Sequence, residues 1–122
     1  MNLETIEIKA VVPARGLAES MDFYRALGFG ATMESDALAH LCYGRTAFLL
    51  SQFYNPEHAN NFAMHMLVAN ADDWYKNVEA SGVVTRYSVR LSPPEDRPWG
   101  IRDFTLIDPT GVLWRIGHAI PV

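Results

Sequence analysis

A chain of 122 residues is the size of one domain and can bury roughly two-thirds of its unfolded surface, so it needs neither metal nor disulfide to fold. Its net charge of −4, with only ten scattered Lys and Arg, argues against nucleic acid as a partner, because a phosphate backbone calls for a basic patch. One cysteine, Cys42, excludes an internal disulfide, and no apolar run approaches the ~20 residues of a membrane span. The opening stretch MNLETIEIKA lacks the basic-then-apolar pattern of a secretion signal, so a reducing, cytoplasmic setting without a membrane partner is expected.

In chain order, alternating polarity predicts a strand over residues 5–12. A helix follows over 17–27, where Leu17, Met21, Tyr24 and Leu27 fall at helical spacing and Gly28 ends it. Strands are expected over 30–34, 38–43 and 46–52, the last two joined by a tight turn at Gly44-Arg45. Residues 55–61 read as a linker, and 63–68 as the next strand. The second helix spans 71–81, with Asn70 as its N-cap, Asp72 and Asp73 at the positive end of its dipole, and Gly82 as terminator. A strand over 87–91, a long loop over 92–101, and strands over 102–107 and 113–118 complete the chain. The last two strands are joined by an Asp108-Pro109-Thr110-Gly111 turn with Pro at its second position.

Laid end to end, this is β-α-β-β-β twice, an α+β fold. The halves echo each other in sequence. Phe23-Tyr24-Arg25-Ala26-Leu27 and Trp74-Tyr75-Lys76-Asn77-Val78 share aromatic-Tyr-basic-x-aliphatic, each followed by Gly and an apolar residue. One domain of two modules, about 1–55 and 62–122, is expected, each half covering its sheet with the help of its twin.

Two runs carry a resemblance. Val11-Val12-Pro13-Ala14-Arg15 with Ser20 to Phe29, and the closing run from Pro98 through Asp108-Pro109-Thr110-Gly111 to Gly117, resemble the glyoxalase/bleomycin-resistance/dioxygenase (vicinal oxygen chelate) superfamily, most of all its bleomycin-resistance branch. The resemblance implies two curled βαβββ sheets whose concave faces hold a ligand, and a homodimer that completes the pocket. In metal-dependent members the first and last strands of each half supply the ligands. Counted from the helix motifs and turns, those positions fall on Lys9, Leu50, His65 and Arg115. Only His65 can bind a divalent ion readily; Leu50 has no lone pair, and Lys9 and Arg115 are cations at neutral pH. No metal and no cofactor are therefore expected.

The candidate ligand-binding residues are His65, Arg115, Lys9 and Leu50. Phe48 and Gln52 join them on Leu50's strand face, with Phe53 at the rim and Trp99 in the 92–101 loop. Arg102 and Asp103 point to opposite faces of their strand, and either could anchor that loop. His40, His58 and His118 show no ligand spacing, and Cys42 reads as a small packing residue. A metal-independent protein that binds a small organic ligand, a drug or a flat polar metabolite, fits these residues best. The alternatives are a metal-dependent lyase, isomerase or dioxygenase of the same superfamily, and a metal-free enzyme with His65 as general base.

Overall fold

In the computed structural model, which describes residues 1–121, the first strand is β1 (Val11–Ala14), shorter than the 5–12 expected from alternation. Ile6 and Ile8 supply the alternation but have no face to cover, and are 88% and 90% exposed. Burial of a repeating face stabilises a strand, and here it begins at Val12, which is fully buried. Helix α1 (Leu17–Leu27) follows. It buries Leu17, Ser20, Met21, Phe23, Tyr24 and Leu27, and ends at Gly28, whose φ of 108° lies in the left-handed region.

Strands β2 (Gly30–Ser35), β3 (Leu38–Tyr43) and β4 (Thr46–Gln52) form an antiparallel meander, and β1 returns parallel to β4, giving the order β1-β4-β3-β2. The linker carries a short helix, α2 (Pro56–Asn60), capped by the Asn55 side chain, which accepts from the amides of Glu57 and His58. The second half repeats the plan with β5 (Ala63–Leu67), α3 (Ala71–Ser81), β6 (Leu91–Arg97), β7 (Ile101–Ile107) and β8 (Leu113–Ala119), in the order β5-β8-β7-β6.

Two segments differ from the sequence expectation. Of the strand expected over 87–91 only Leu91 is strand, as the first residue of β6, and Tyr87 instead closes an additional helix, α4 (Val83–Tyr87). Val83-Val84-Thr85 has strand propensity, but the left-handed Gly82 restarts a helical turn that buries Val83 completely. The expected loop over 92–101 is mostly strand β6, paired with β7. Pro93 and Pro94 fall where the β6–β7 register shifts, on the edge strand, where a missing amide costs no ladder bond.

Both helices pack on one side of their sheets, and a single core joins the halves. At its centre Tyr24 donates to Asp108 Oδ2 at 2.6 Å and accepts from Trp114 Nε1 at 2.8 Å, tying α1 of the first half to the last turn and strand of the second. Phe23, Phe29 and Phe48 pack edge-on around Tyr24, with ring centroids 5.1–5.6 Å from it. The opposite sides of both sheets face outward. No helix is long and apolar enough to cross a membrane.

Candidate functional site

Strand β1 reaches back along β4 only as far as the Val11–Leu49 pair, so Thr46–Phe48 has no partner on that side. In the second sheet β5 is an edge strand. Between these two strand edges lies a crevice of about 470 Å³ lined by Thr46–Phe48 on one side and Met64–Ala69 on the other. Its aromatic walls come from Phe29, Tyr43, Phe48, Trp74 and Trp114. These rings form one contiguous cluster: Tyr43–Trp74 at 4.9 Å, Phe48–Trp114 at 5.3 Å and Phe29–Tyr43 at 5.3 Å. Such a lining, largely apolar and aromatic with Thr46, His65 and Tyr43 among its polar side chains, suits a flat organic ligand.

His65 connects the crevice to the open face of the second sheet. It pairs directly with Arg115 across β5–β8, and Arg115 pairs with Thr105 across β8–β7. Alternation puts Asp103 and Arg97 on the same face. Asp103 is buried although it lies on the open side, because Arg97 Nε donates to Oδ1 at 2.8 Å and Arg115 donates to Oδ2 at 3.4 Å. The hydrogen bond to Asp103 and the charge of the two nearby carboxylates raise the Arg97 pKa above its already high value. Asp103 and Glu95 together balance the charge of the two guanidiniums, and the partly exposed Arg115 still offers hydrogen-bond donors on this face. Gly117 makes the arrangement possible: a Cβ there would stand 2.7 Å from the Arg102 carbonyl oxygen and 2.7 Å from Asp103 Cβ.

Of the residues expected at the site, the structure brings together His65, Arg115 and Phe48. Phe48 reaches the crevice from its core side. Leu50 does share a strand face with Phe48, but that is the helix-packed face, and Leu50 is completely buried. The open face of β4 is carried by Ala47, Leu49 and Ser51, so the family position counted onto Leu50 falls one residue out of step with the open face. Gln52 pins the entry to α1, its Nε2 donating to Arg15 O at 2.8 Å and its Oε1 accepting from the Leu17 amide at 2.8 Å. Phe53 is exposed beside the His58 ring, and Lys9 lies before β1 in an ion pair with Glu7 at 3.1 Å. Trp99 stands 63% exposed in the β6–β7 turn and does not line the crevice.

The opposite-face reading of Arg102 and Asp103 describes their contacts. Arg102 grips Asp72 with two nitrogens at 2.9–3.3 Å and Asp96 at 3.0 Å, while Asp103 holds Arg97; both arginine networks fasten the 92–101 segment. Sequence reasoning missed Trp74, Trp114, Phe29 and Tyr43 as lining residues. A helix motif and a strand each accounted for them separately, and only the packing of the two halves sets them side by side.

The four inherited metal positions do not fit a divalent ion. They present one imidazole, a buried alkyl chain, a lysine paired to Glu7 and an arginine paired to Asp103. Among the described residues no three His, Cys, Asp or Glu side chains are grouped to hold a metal.

Two βαβββ halves, each a curled four-stranded sheet with the open face away from its helices, define a glyoxalase-type architecture. The sequence matches the Glyoxalase/Bleomycin resistance protein/Dioxygenase superfamily over residues 8–116, and the chain belongs to it. Among curated proteins nothing matches the sequence. Among solved structures the chain is similar to a bleomycin resistance determinant encoded on the transposon Tn5, with 23% identity and a TM-score of 0.82 over 94% of this chain and 98% of that one. It is also similar to a bleomycin-binding protein complexed with bleomycin (23% identity, TM-score 0.80, 93% and 98% covered). A third is the bleomycin-binding protein of bleomycin-producing Streptomyces verticillus complexed with copper(II)-bleomycin (18% identity, TM-score 0.76, 99% and 100% covered). At these identities the likeness is one of fold.

Proposed function

We propose that this protein binds and sequesters a small, planar, partly polar organic ligand of the kind its bleomycin-binding structural relatives take, with no resident metal. The observation that carries the reading is the aromatic crevice of about 470 Å³ opening beside His65. Its rings offer stacking surface worth about 0.5–1.5 kcal/mol per aromatic pair beyond area burial. Arg115, next to His65, can make charge-assisted hydrogen bonds to an acceptor on the ligand.

The ligand site is completed by a second copy of the chain. Both sheets leave one face uncovered, and the apolar residues Leu3, Ile6 and Ile8 are 80–90% exposed. Exposed apolar surface on this scale marks an interaction surface. A two-fold arrangement would place the open face of one sheet against the open face of its partner's other sheet.

The test is a titration of the Trp99→Phe protein with metal-free bleomycin and with planar aromatic metabolites, followed by tryptophan emission and thermal unfolding. Removing Trp99 leaves Trp74 and Trp114, both at the crevice, to report. The expected result is quenching with saturation, and a stabilisation of about 2.7 kcal/mol at a hundredfold excess over Kd. No quenching and no stabilisation with any of these compounds would sink the reading. One metal per chain by elemental analysis, lost in His65→Ala, would replace it with a metalloenzyme.

A further inference from the structure

A second cavity, of about 630 Å³, lies where the β7–β8 turn meets the exit of α4, and shares no lining residue with the aromatic crevice. Its walls include Arg15, Asn60, Tyr87, Arg90 and Asp108. We propose that this cavity is a separate ligand site and that it takes a small phosphate monoester.

Three observations carry the proposal. The first is charge. Arg15 and Arg90 reach the cavity from the start of α1 and the start of β6, elements of different halves. Arg90 has no carboxylate within 4 Å among the described residues, and Arg15 is held only by the exposed Glu19 at 3.2 Å. The Arg15 amide donates to Thr110 Oγ1 at 3.0 Å, which fixes that residue's backbone against the turn forming the opposite wall. The second is an unspent hydroxyl. Among the described residues Tyr87 Oη is the one buried side-chain polar atom with no protein partner. Its ring packs edge-on to Phe23 at 5.5 Å, with the Arg86 guanidinium 5.1 Å from its centre. A buried hydroxyl without a partner is costly, and a small shift of the ring toward the cavity it lines would let an acceptor on a ligand relieve that cost.

The third is that the carboxylate bordering the cavity does not compete. Asp108 Oδ1 accepts the amides of Thr110, Gly111 and Val112, and Oδ2 accepts Tyr24 Oη. Both oxygens are spent inward, so Arg15 and Arg90 have no acceptor there. A carboxylate ligand would be satisfied by one guanidinium, whereas the terminal oxygens of a phosphate can engage two at once. The volume exceeds that of a phosphate alone, and Asn60 and Tyr87 offer hydrogen bonds to a hydroxyl-bearing body.

Calorimetric titration of the full chain at low ionic strength with glucose 6-phosphate, inorganic phosphate and glucose tests this. Glucose 6-phosphate and inorganic phosphate are expected to bind and glucose not to. Arg90→Gln and Arg15→Gln should each weaken the phosphate ester about tenfold, the loss of one charge-assisted contact. Tyr87→Phe should weaken the ester more than it weakens inorganic phosphate. Thermal unfolding establishes that each variant is folded; Arg90, exposed and without an ion-pair partner, can be changed without disturbing the core. Equal affinity of wild type and Arg90→Gln, binding of glucose as tight as its phosphate, binding of inorganic phosphate only, or no heat from either anion would each overturn the proposal.

Discussion

One phenolic oxygen ties the two halves of this molecule at the centre of their shared core. Among the described residues, Tyr24 Oη supplies the fourth hydrogen bond to Asp108 and the only one to Trp114 Nε1. Burial, and the Asp108 charge beside it, push the Tyr24 pKa well above its usual value, so it remains a donor across the neutral and alkaline range. Tyr24→Phe is expected to cost roughly 2–4 kcal/mol in urea unfolding, because a carboxylate oxygen and an indole N–H are left buried without partners. A loss below about 0.5 kcal/mol would mean that the clamp contributes little.

Two aspartates, Asp108 in the β7–β8 turn and Asp72 on α3, should titrate with opposite consequences. Burial raises the Asp108 pKa above its usual 3.8, outweighing the hydrogen bonds from Tyr24 and the turn amides. The folded state therefore holds that proton more tightly than the unfolded one. The stability tied to it is present below pH 3.8 and is lost as pH rises through the raised folded value. For Asp72 the hydrogen bonds from Arg102 lower the pKa despite some desolvation; its contribution is present above pH 3.8 and lost as pH falls through the lowered value. Unfolding curves from pH 2 to 7 should show Asp108→Asn gaining on wild type as pH rises and Asp72→Asn falling behind. Parallel curves for the two variants would contradict these assignments.

Among the elements, α1 and α3 were legible to the residue. Each combines a 3.6-residue apolar period with a glycine that must go left-handed at its end. Helix α4 was not, since its β-branched run is helical only because Val83 fits the core under α1. Strand β6 was hidden by its two prolines, which an edge strand tolerates at a register shift. The close pairing of β7 with β8 gives an element-scale prediction. Gly117 faces Asp103 across the ladder, with backbone only 2.7 Å from where a Cβ would stand. Gly117→Ala should destabilise by about 1–3 kcal/mol and loosen the Arg97–Asp103–Arg115 network. An unchanged Tm would show that the strands can separate to admit a methyl group.

At the scale of the whole molecule the architecture was readable, because the duplicated helix motif and the turn glycines set the β-α-β-β-β order before any contact is known. The site was readable only in part. Strand counting sets His65 and Arg115 side by side, as their pairing across β5–β8 has them, but the same counting expected an open-face position at Leu50, which is buried, since in strand β4 a one-residue slip exchanges core for open face. The crevice itself exists only once the halves dock, so no single stretch announces it. The exposed Leu3, Ile6 and Ile8 set the last expectation about assembly. Sedimentation at micromolar concentration should give twice the 13.7 kDa chain mass, shifting toward the monomer in an Ile6→Ser/Ile8→Ser variant. A wild-type monomer would count against the completed two-fold site.

The short helix α2, with Pro56, Glu57 and His58 exposed, is the only covalent passage between the two sheets. Each half alone would be roughly 60 residues, a size at which a core is marginal, so neither fragment should persist by itself. Together they share one aromatic core and the Tyr24–Asp108 bond, and nothing in that core depends on the peptide bonds of α2. A protease that nicks the passage should leave a molecule that migrates as intact under native conditions and parts into two pieces only in denaturant. The contacts, rather than the continuity of the chain, make the two halves one protein.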